Sequence, residues 1–183
     1  DAAKAFLPNA KIIIDRFHVV RYCTEAMENV RRNLQKTLPK AQRKYFKRSR
    51  RLLLAHRDRL SEEDRAAVDV MLRFSDRLLQ AYALKEAFYD FMEASNRAEA
   101  ERLMDFWLEA CDRLNLPEFR SCRKMLANWR PYILNAFDIR LSNGFTEGCN
   151  NAIKTLKRLA FGFKSFSSFR ARILLASRAH PYI

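Results

Sequence analysis

The sequence predicts a mainly α-helical protein, and three observations carry that expectation. Only three glycines and five prolines occur in 183 residues, too little turn chemistry for an all-β fold. Charged, straight-chain and aromatic residues dominate, and most of these suit helices. Apolar residues recur at three- and four-residue steps through most of the chain. At 49% hydrophobic, the chain can bury a sizeable core in one domain, or in one domain and part of another. No signal peptide, membrane-length apolar run, low-complexity tract or internal repeat is visible.

Residues 1–15 read as the tail of a helix with Ala2, Ala3, Ala5 and Phe6, a turn at Pro8–Asn9, then Lys11-Ile12-Ile13-Ile14-Asp15. Three consecutive isoleucines after a turn suit a short strand buried on both faces. Asp15 stands at its C-terminal end, the edge where ligands and catalytic groups gather in open α/β sheets. The same Asp also suits the cap of the next helix.

That helix runs from Phe17 to about Lys36, with Val19, Cys23, Ala26 or Met27, Val30 and Leu34 on one face. Pro39 breaks it. The next is expected to run continuously from about Lys40 to Arg59, with Lys40, Arg43, Lys44, Lys47, Arg48, Arg50 and Arg51 along it and Tyr45, Phe46 and Leu52–Leu54 for packing. Ser61 followed by three acids is a capping-box-like start. From there to about Ala94 a helical hairpin is expected, with Leu72, Leu78, Leu79, Tyr82, Phe88 and Phe91 in the core. Asn96 with Glu99 opens a further helix through Leu103, Phe106, Trp107 and Leu114. Pro117 restarts one holding Phe119, Met125, Leu126, Trp129, Ile133 and Phe137. Both tryptophans read as core anchors rather than base-stacking platforms, because they keep helical spacing with other apolar residues.

After Asn143 and Gly144, a turn with Asn143 as candidate cap, the last conspicuous helix begins. Phe145, Cys149, Ile153, Leu156 and Ala160 form its apolar face, and Glu147, Asn150, Asn151, Lys154 and Arg158 the opposite one. Gly148 costs that helix roughly 1 kcal/mol, which suggests close approach by another group.

Charge is segregated along the chain. Residues 16–60 hold fourteen Lys and Arg against three acids, and residues 61–119 hold seven against fourteen. Residues 120–183 hold twelve against two, within a net charge of +14. Two basic ends around an acidic middle suggest a polyanion gripped on one side. The two acids of the last segment are Asp138 and Glu147. A lone carboxylate among cations can serve as a metal ligand beside bound phosphate, or simply complement the helix dipole. The four cysteines, Cys23, Cys111, Cys122 and Cys149, form no C-x-x-C pair and do not cluster with histidines. Reduced, mostly buried thiols are therefore expected rather than zinc or a disulfide framework.

The run S-N-G-F-T-E-G-C-N-N-A-I-K-T-L-K-R-L-A-F-G-F from Ser142 to Phe163, followed by Phe169 to Leu175, resembles the C-terminal signature of bacterial insertion-sequence transposases of the ISL-three type. Asp15-Arg16-Phe17-His18-Val19-Val20, preceded by Pro8-Asn9-Ala10, resembles the second catalytic Asp region of the same family. The resemblance spans nearly the whole chain, with its specific parts at the two ends. It implies a DDE catalytic domain of ribonuclease-H-like fold interrupted by an all-helical insertion. Residues 1–16 would be a fragment of that core with the strand and second Asp, 17–138 the helical insertion domain, and 139–183 the C-terminal helices of the core carrying the Glu.

By the same resemblance, Asp15 and Glu147 are the catalytic and metal-binding carboxylates, with two Mg²⁺ or Mn²⁺ ions in the complete site. His18 is read as a supporting residue rather than a ligand. The reaction implied is cleavage and strand transfer of DNA, with transposon ends and target as partners, in a homo-oligomer of the full-length protein that is cytoplasmic, nucleoid-associated and free of membrane. Candidate DNA-binding residues are Arg43, Lys44, Lys47, Arg48, Asn150, Asn151, Lys154, Lys157, Arg158, Lys164, Arg170 and Arg172. The first Asp of such a site has no candidate strand before Asp15, and Asp1 falls in apparent helix, so the chain by itself is expected to be inactive. The alternatives are a non-catalytic helical DNA-binding module, with Asp15 and Glu147 as caps, and a helical scaffold whose acidic middle meets a basic partner.

Overall fold

Asp15 ends a non-helical run and starts the first long helix, α1 (Arg16–Thr37), by accepting the Phe17 N–H. The structure, a computed structural model, describes Phe6 and residues 9–46, 48–138 and 144–179. The chain divides into two units, Asp1–Arg140 and Leu141–Ile183.

In the first unit α1 buries Val19, Cys23, Ala26, Met27 and Val30, the face its spacing predicts. It stops at Leu38, whose extended backbone is what the following Pro39 requires. The expected continuous helix over 40–59 is broken instead. Short α2 (Lys40–Arg43), a 3-10 turn at Lys44–Phe46, α3 (Ser49–Leu54) and a second 3-10 turn at Arg57–Arg59 take its place. At the break Arg48 adopts φ +58°, a left-handed backbone that a non-glycine residue rarely takes. The interruption lets both apolar groups of this segment reach the core. Tyr45 and Phe46 lie 5.6 and 5.7 Å from the Phe74 ring, while Leu52 and Leu53 are buried by α3.

The capping signals in the middle of the chain are realised. Ser61 caps α4 (Glu62–Leu72) by accepting the Asp64 N–H, and Ser75 caps α5 (Asp76–Met92). Asn96 accepts the Glu99 N–H at 2.9 Å to open α6 (Arg97–Leu114), and Glu99 accepts the Ser95 N–H at 2.8 Å. Asn115, left-handed at φ 46°, ends α6, and a 3-10 turn at Pro117–Phe119 leads into α7 (Arg120–Asp138). Helices α1, α5, α6 and α7 pack together as the body of the unit.

Trp107 sits in the middle of that body with no solvent exposure. Its indole N–H donates to the Leu84 carbonyl at 2.8 Å, and its ring meets Phe88 edge-on at 5.3 Å. Met27, Leu78, Met104 and Leu126 are equally buried. Two expected core residues are exposed instead. Leu79 is one residue off the buried Leu78–Tyr82 stripe of α5 and is 48% exposed. Trp129 is 52% exposed, because a groove separates its edge of α7 from α1.

A second feature of the body is a buried Lys. The Lys85 ammonium donates to the Ala55 carbonyl at 2.6 Å, pairs with Glu86 and lies 4.0 Å above the Tyr82 ring. The Arg57 N–H, bonded to Glu86 at 3.1 Å, and the Tyr89 hydroxyl, bonded to the Leu54 carbonyl at 2.8 Å, tie the same loop to α5. A buried charge of this kind is tolerable only because its donors are satisfied.

The strand expected at Lys11–Ile14 is not formed, and no strand occurs among the described residues. A strand needs another strand beside it, and here the neighbour is a helix. The Ile14 N–H donates to the Tyr132 carbonyl at 3.3 Å, and the Asn135 side chain donates to the Ile12 carbonyl at 2.8 Å. The isoleucines are consequently half-buried.

The second unit holds α8 (Gly144–Leu159) and α9 (Phe166–Ala179). Cys149, Ile153 and Leu156 of α8 are half-buried as their spacing predicts, whereas Ala160 is exposed. The rings of Phe163 and Phe169 lie 5.0 Å apart at the turn between the helices. Ser142, Asn143 and the side chains of Phe145 and Thr146 lie outside the described residues. None of the four cysteines is in a disulfide; three are buried and Cys149 is half-buried. No described helix is long and apolar enough to cross a membrane.

Candidate catalytic carboxylates and cationic surfaces

Asp15 is held from both sides. The segment before it is bonded to α7, and Lys11 adds an ion pair to Asp138 at 2.7 Å. After it, the Arg16 guanidinium donates to the carbonyls of Met92 and Ala136, each at 3.3 Å, and lies 4.4 Å over the Phe137 ring. One carboxylate oxygen of Asp15 takes the Phe17 N–H at 2.7 Å, and the other has no partner among the described residues. The side chain is half-exposed. An anchored, half-open carboxylate of this sort can cap a helix and still present an oxygen to a cation. His18, one turn into α1, is exposed and packs its ring edgewise on Phe17.

Glu147 lies in the first turn of α8 and is exposed. Steps of three and four residues put Asn150, Asn151, Lys154 and Arg158 behind it on one side of the helix. All four are exposed, as are Lys157, Lys164, Arg170 and Arg172. Among the described residues none of these cations pairs with a carboxylate within 4.0 Å. The C-terminal end of α8 is closed by two bonds, from the Phe161 N–H to the Arg158 carbonyl at 3.0 Å and from the Gly162 N–H to the Lys157 carbonyl at 3.1 Å. Phe161 takes the left-handed position, φ +50°, that a glycine commonly fills, and its side chain stands fully in solvent. Lys154, Lys157, Arg158, Phe161 and Gly162 line an open cleft of about 570 Å³ there.

The first unit carries its own cationic surface. Arg43 donates to the Leu38 carbonyl at 3.0 Å, Lys44 lies 5.0 Å over the Tyr45 ring, and Arg48 is exposed at the left-handed break. Lys47 lies outside the described residues. Arg51 is not part of the unpaired set, because it is bonded to Asp64 at 2.8 Å. Spacing along 40–59 missed the cations that α1 adds. Arg31, Arg32 and Lys36 join Arg43 and Gln35 around a cleft of about 450 Å³. Their signal was present as i, i+4 pairs on the polar side of α1. Hydrogen bonds from Arg31 hold the Glu28 carboxyl below its usual range, with Arg50 and Arg32 adding to the effect.

Part of the segregated charge is neutralised inside the unit. Arg123 pairs with Asp112 at 2.8 Å, Arg130 with Glu101 at 3.0 Å, Arg97 with Asp138 at 2.7 Å and Arg77 with Glu118 at 2.8 Å. The pairs from Arg123 and Arg130 match part of the acidic middle to the start of the basic third segment, while Arg43, Lys44, Arg48 and the α8–α9 cations named above have no carboxylate within 4.0 Å among the described residues. Asp15 belongs to the first unit and Glu147 to the second. Among the described residues no group of three or more His, Cys, Asp or Glu side chains comes together.

Comparison with known proteins adds the following. A family model described as transposase, of the DDE class and ISL-three type, matches residues 1–173. The transposase for insertion sequence element IS1001 of Bordetella parapertussis is 29% identical over 176 residues, covering 94% of this chain and 43% of that protein. The transposase for insertion sequence element IS1557 of Mycobacterium tuberculosis is 30% identical over 196 residues, covering 94% of this chain and 44% of that protein. A Lactococcus lactis protein named as an ATP-dependent protease is 33% identical over 132 residues, covering 72% of this chain and 38% of its own length. No solved structure matches. The chain therefore spans less than half the length of the curated relatives it matches.

Proposed function

Since the chain belongs to the ISL-three-type transposase family, we propose that it forms part of a DDE transposase that cuts and joins DNA in a metal-dependent reaction. The observation that carries the reading is the match over residues 1–173, which embraces both Asp15 and Glu147. In this reading residues 1–16 and 139–183 belong to a ribonuclease-H-like core, and 17–138 are a helical domain inserted within it. The longer protein works as a homo-oligomer on the nucleoid.

Asp15 and Glu147 supply hard oxygen donors, the kind Mg²⁺ and Mn²⁺ prefer, and each keeps an oxygen open to solvent or unpartnered. They would hold the ions together with a third carboxylate of the longer protein. The chemistry such ions would supply is activation of the attacking oxygen and stabilisation of the leaving one. The remaining work falls to this chain's cations. Lys154, Lys157 and Arg158 on α8, with Lys164, Arg170 and Arg172 beyond it, would hold phosphates on the side of Glu147. Asn150 and Asn151, one turn from the carboxylate, would donate amide N–H groups to phosphate oxygens. In the helical domain Arg43, Lys44, Lys47 and Arg48, with Arg32 and Lys36, would take the flanking duplex.

Asp15→Asn and Glu147→Gln in a full-length transposase containing this segment test the reading. Each should abolish Mg²⁺- or Mn²⁺-dependent nicking of element-end DNA while leaving DNA binding intact. Undiminished nicking in either variant would remove that carboxylate from the site. The cap bond at Asp15 favours the alternative of a non-catalytic helical DNA-binding module. That alternative expects both variants to nick as the parent does. Reversing Arg43, Lys44 and Arg48 to Glu in the 183-residue chain should flatten the fall of log K with log salt by about three phosphate contacts.

A further inference from the structure

The body of the first unit has one feature that neither the carboxylates nor the basic surfaces explain. Between α1 and α7 runs a groove of about 740 Å³. Two aromatic rings line it, Tyr22 at 44% and Trp129 at 52% exposure. Burying an indole is worth several kcal/mol, so leaving one half-open beside a groove is expensive unless something covers it. The polar lining is selective in kind. Ser121, Lys124 and Asn128 come from α7 at helical spacing, and His18 and Arg21 face the groove from α1. Among the described residues its one carboxylate, Glu25, is held by Arg21 at 2.6 Å, and Lys124 has no partner. Ile14, the residue before Asp15, is also part of the lining.

We propose that this groove takes an unpaired nucleotide of the bound DNA, its base against the Trp129 and Tyr22 rings and its phosphate on Lys124. The proposal rests on the reading of DNA as the partner. A paired base offers an aromatic side chain only its edge, whereas an unstacked base offers the whole ring face. Free Lys124 supplies the charge complement, and Asn128 and Ser121 supply donors and acceptors for the edge of the base. An apolar peptide would leave those three side chains without partners. Because Ile14 lines the groove, the nucleotide would sit next to Asp15, where a strand end parted from its complement would lie if Asp15 serves the reaction.

The two tryptophans make the test direct, since Trp107 is fully buried and Trp129 is half-exposed. The 183-residue chain is titrated with a labelled blunt duplex and with the same duplex carrying a single-stranded 3′ overhang. Anisotropy and tryptophan emission are both followed. The overhang DNA should bind roughly tenfold tighter and quench the emission, as base–aromatic stacking requires. Trp129→Ala should abolish preference and quenching, leave blunt-duplex affinity unchanged and keep the helical circular dichroism of the parent. Trp129→Phe should retain most of the preference, and Lys124→Ala should reduce it severalfold. Equal affinity for the two DNAs overturns the inference and leaves DNA binding standing. Failure to bind either DNA overturns both. Quenching that follows protein concentration without DNA overturns the inference in favour of a second copy of the chain on the groove.

Discussion

The Asp15 carboxylate accepts the Phe17 N–H at 2.7 Å, so a residue read as a metal ligand is also the N-cap of the longest described helix. The two roles differ in what they need. Capping needs an acceptor oxygen and is served equally by Asn, whereas holding a divalent cation needs the negative charge.

That difference separates two substitutions by stability alone. Asp15→Ala should lower the stability of the chain by about 1 kcal/mol, a fall of about 2–4 °C in Tm. Asp15→Asn should melt within about 1 °C of the parent. Thermal unfolding followed by circular dichroism reads both. An Asn variant as unstable as the Ala variant would show that the charge, and not the cap, stabilises α1.

The tryptophans should diverge as sharply. Trp107→Ala removes a fully buried ring together with its bond to the Leu84 carbonyl, and should cost about 3–5 kcal/mol in urea unfolding. Trp129→Ala, on a half-exposed side chain, should cost about 1 kcal/mol or less.

These two residues also show how far the sequence could be read. Both keep helical spacing, and periodicity cannot say whether the neighbouring helix closes over a ring or leaves a groove beside it. Local chemistry was the more legible part. The caps at Ser61 and Asn96 and the buried face of α1 follow from residue types a few positions apart. The isoleucine run misled, because a strand is a relation to a second segment, and the described neighbour of residues 11–14 is α7. The break at Arg48 was hidden for a similar reason. No Gly or Pro marks it, and packing of Phe46 and Leu53 into one core overrides local propensity. For the site, the residues around Glu147 could be placed on one helix side, while the cleft that Arg31, Arg32 and Lys36 form with Arg43 needed the fold.

Phe161 offers a test of strain at the cationic cleft. Its left-handed backbone costs a non-glycine residue about 1–2 kcal/mol, and its exposed ring regains nothing from burial within the described residues. Phe161→Gly should therefore slow amide exchange in the last turn of α8 and stabilise it by about 1 kcal/mol. If the ring serves a bound partner, the same variant should bind duplex DNA more weakly despite the firmer helix. Equal affinity would leave Phe161 without a part in binding.

High pH should destabilise the first unit through groups that burial keeps protonated. Burial lifts the Cys111 and Cys122 thiols above their ordinary 9.0, and lifts the Tyr82 and Tyr89 hydroxyls above 10.0. In the unfolded chain these groups ionise near those ordinary values, so above about pH 9 the unfolded state holds fewer protons than the folded one. Stability is then fully present below pH 9 and falls as pH rises. Lys85 works the other way. Burial lowers its affinity for a proton below the ordinary 10.5, so the unfolded state holds the extra proton and stability gains as pH climbs towards that value. Two thiols and two phenols oppose one ammonium, and the net change between pH 8 and pH 10 should be a loss of about 1–2 kcal/mol. Urea unfolding at pH 8, 9 and 10 measures it. Cys111→Ala together with Cys122→Ala should flatten the fall, and Lys85→Met should steepen it by removing the one opposing contribution. Stability unchanged from pH 8 to pH 10 would show that the thiols ionise in the folded protein as they do in the unfolded chain.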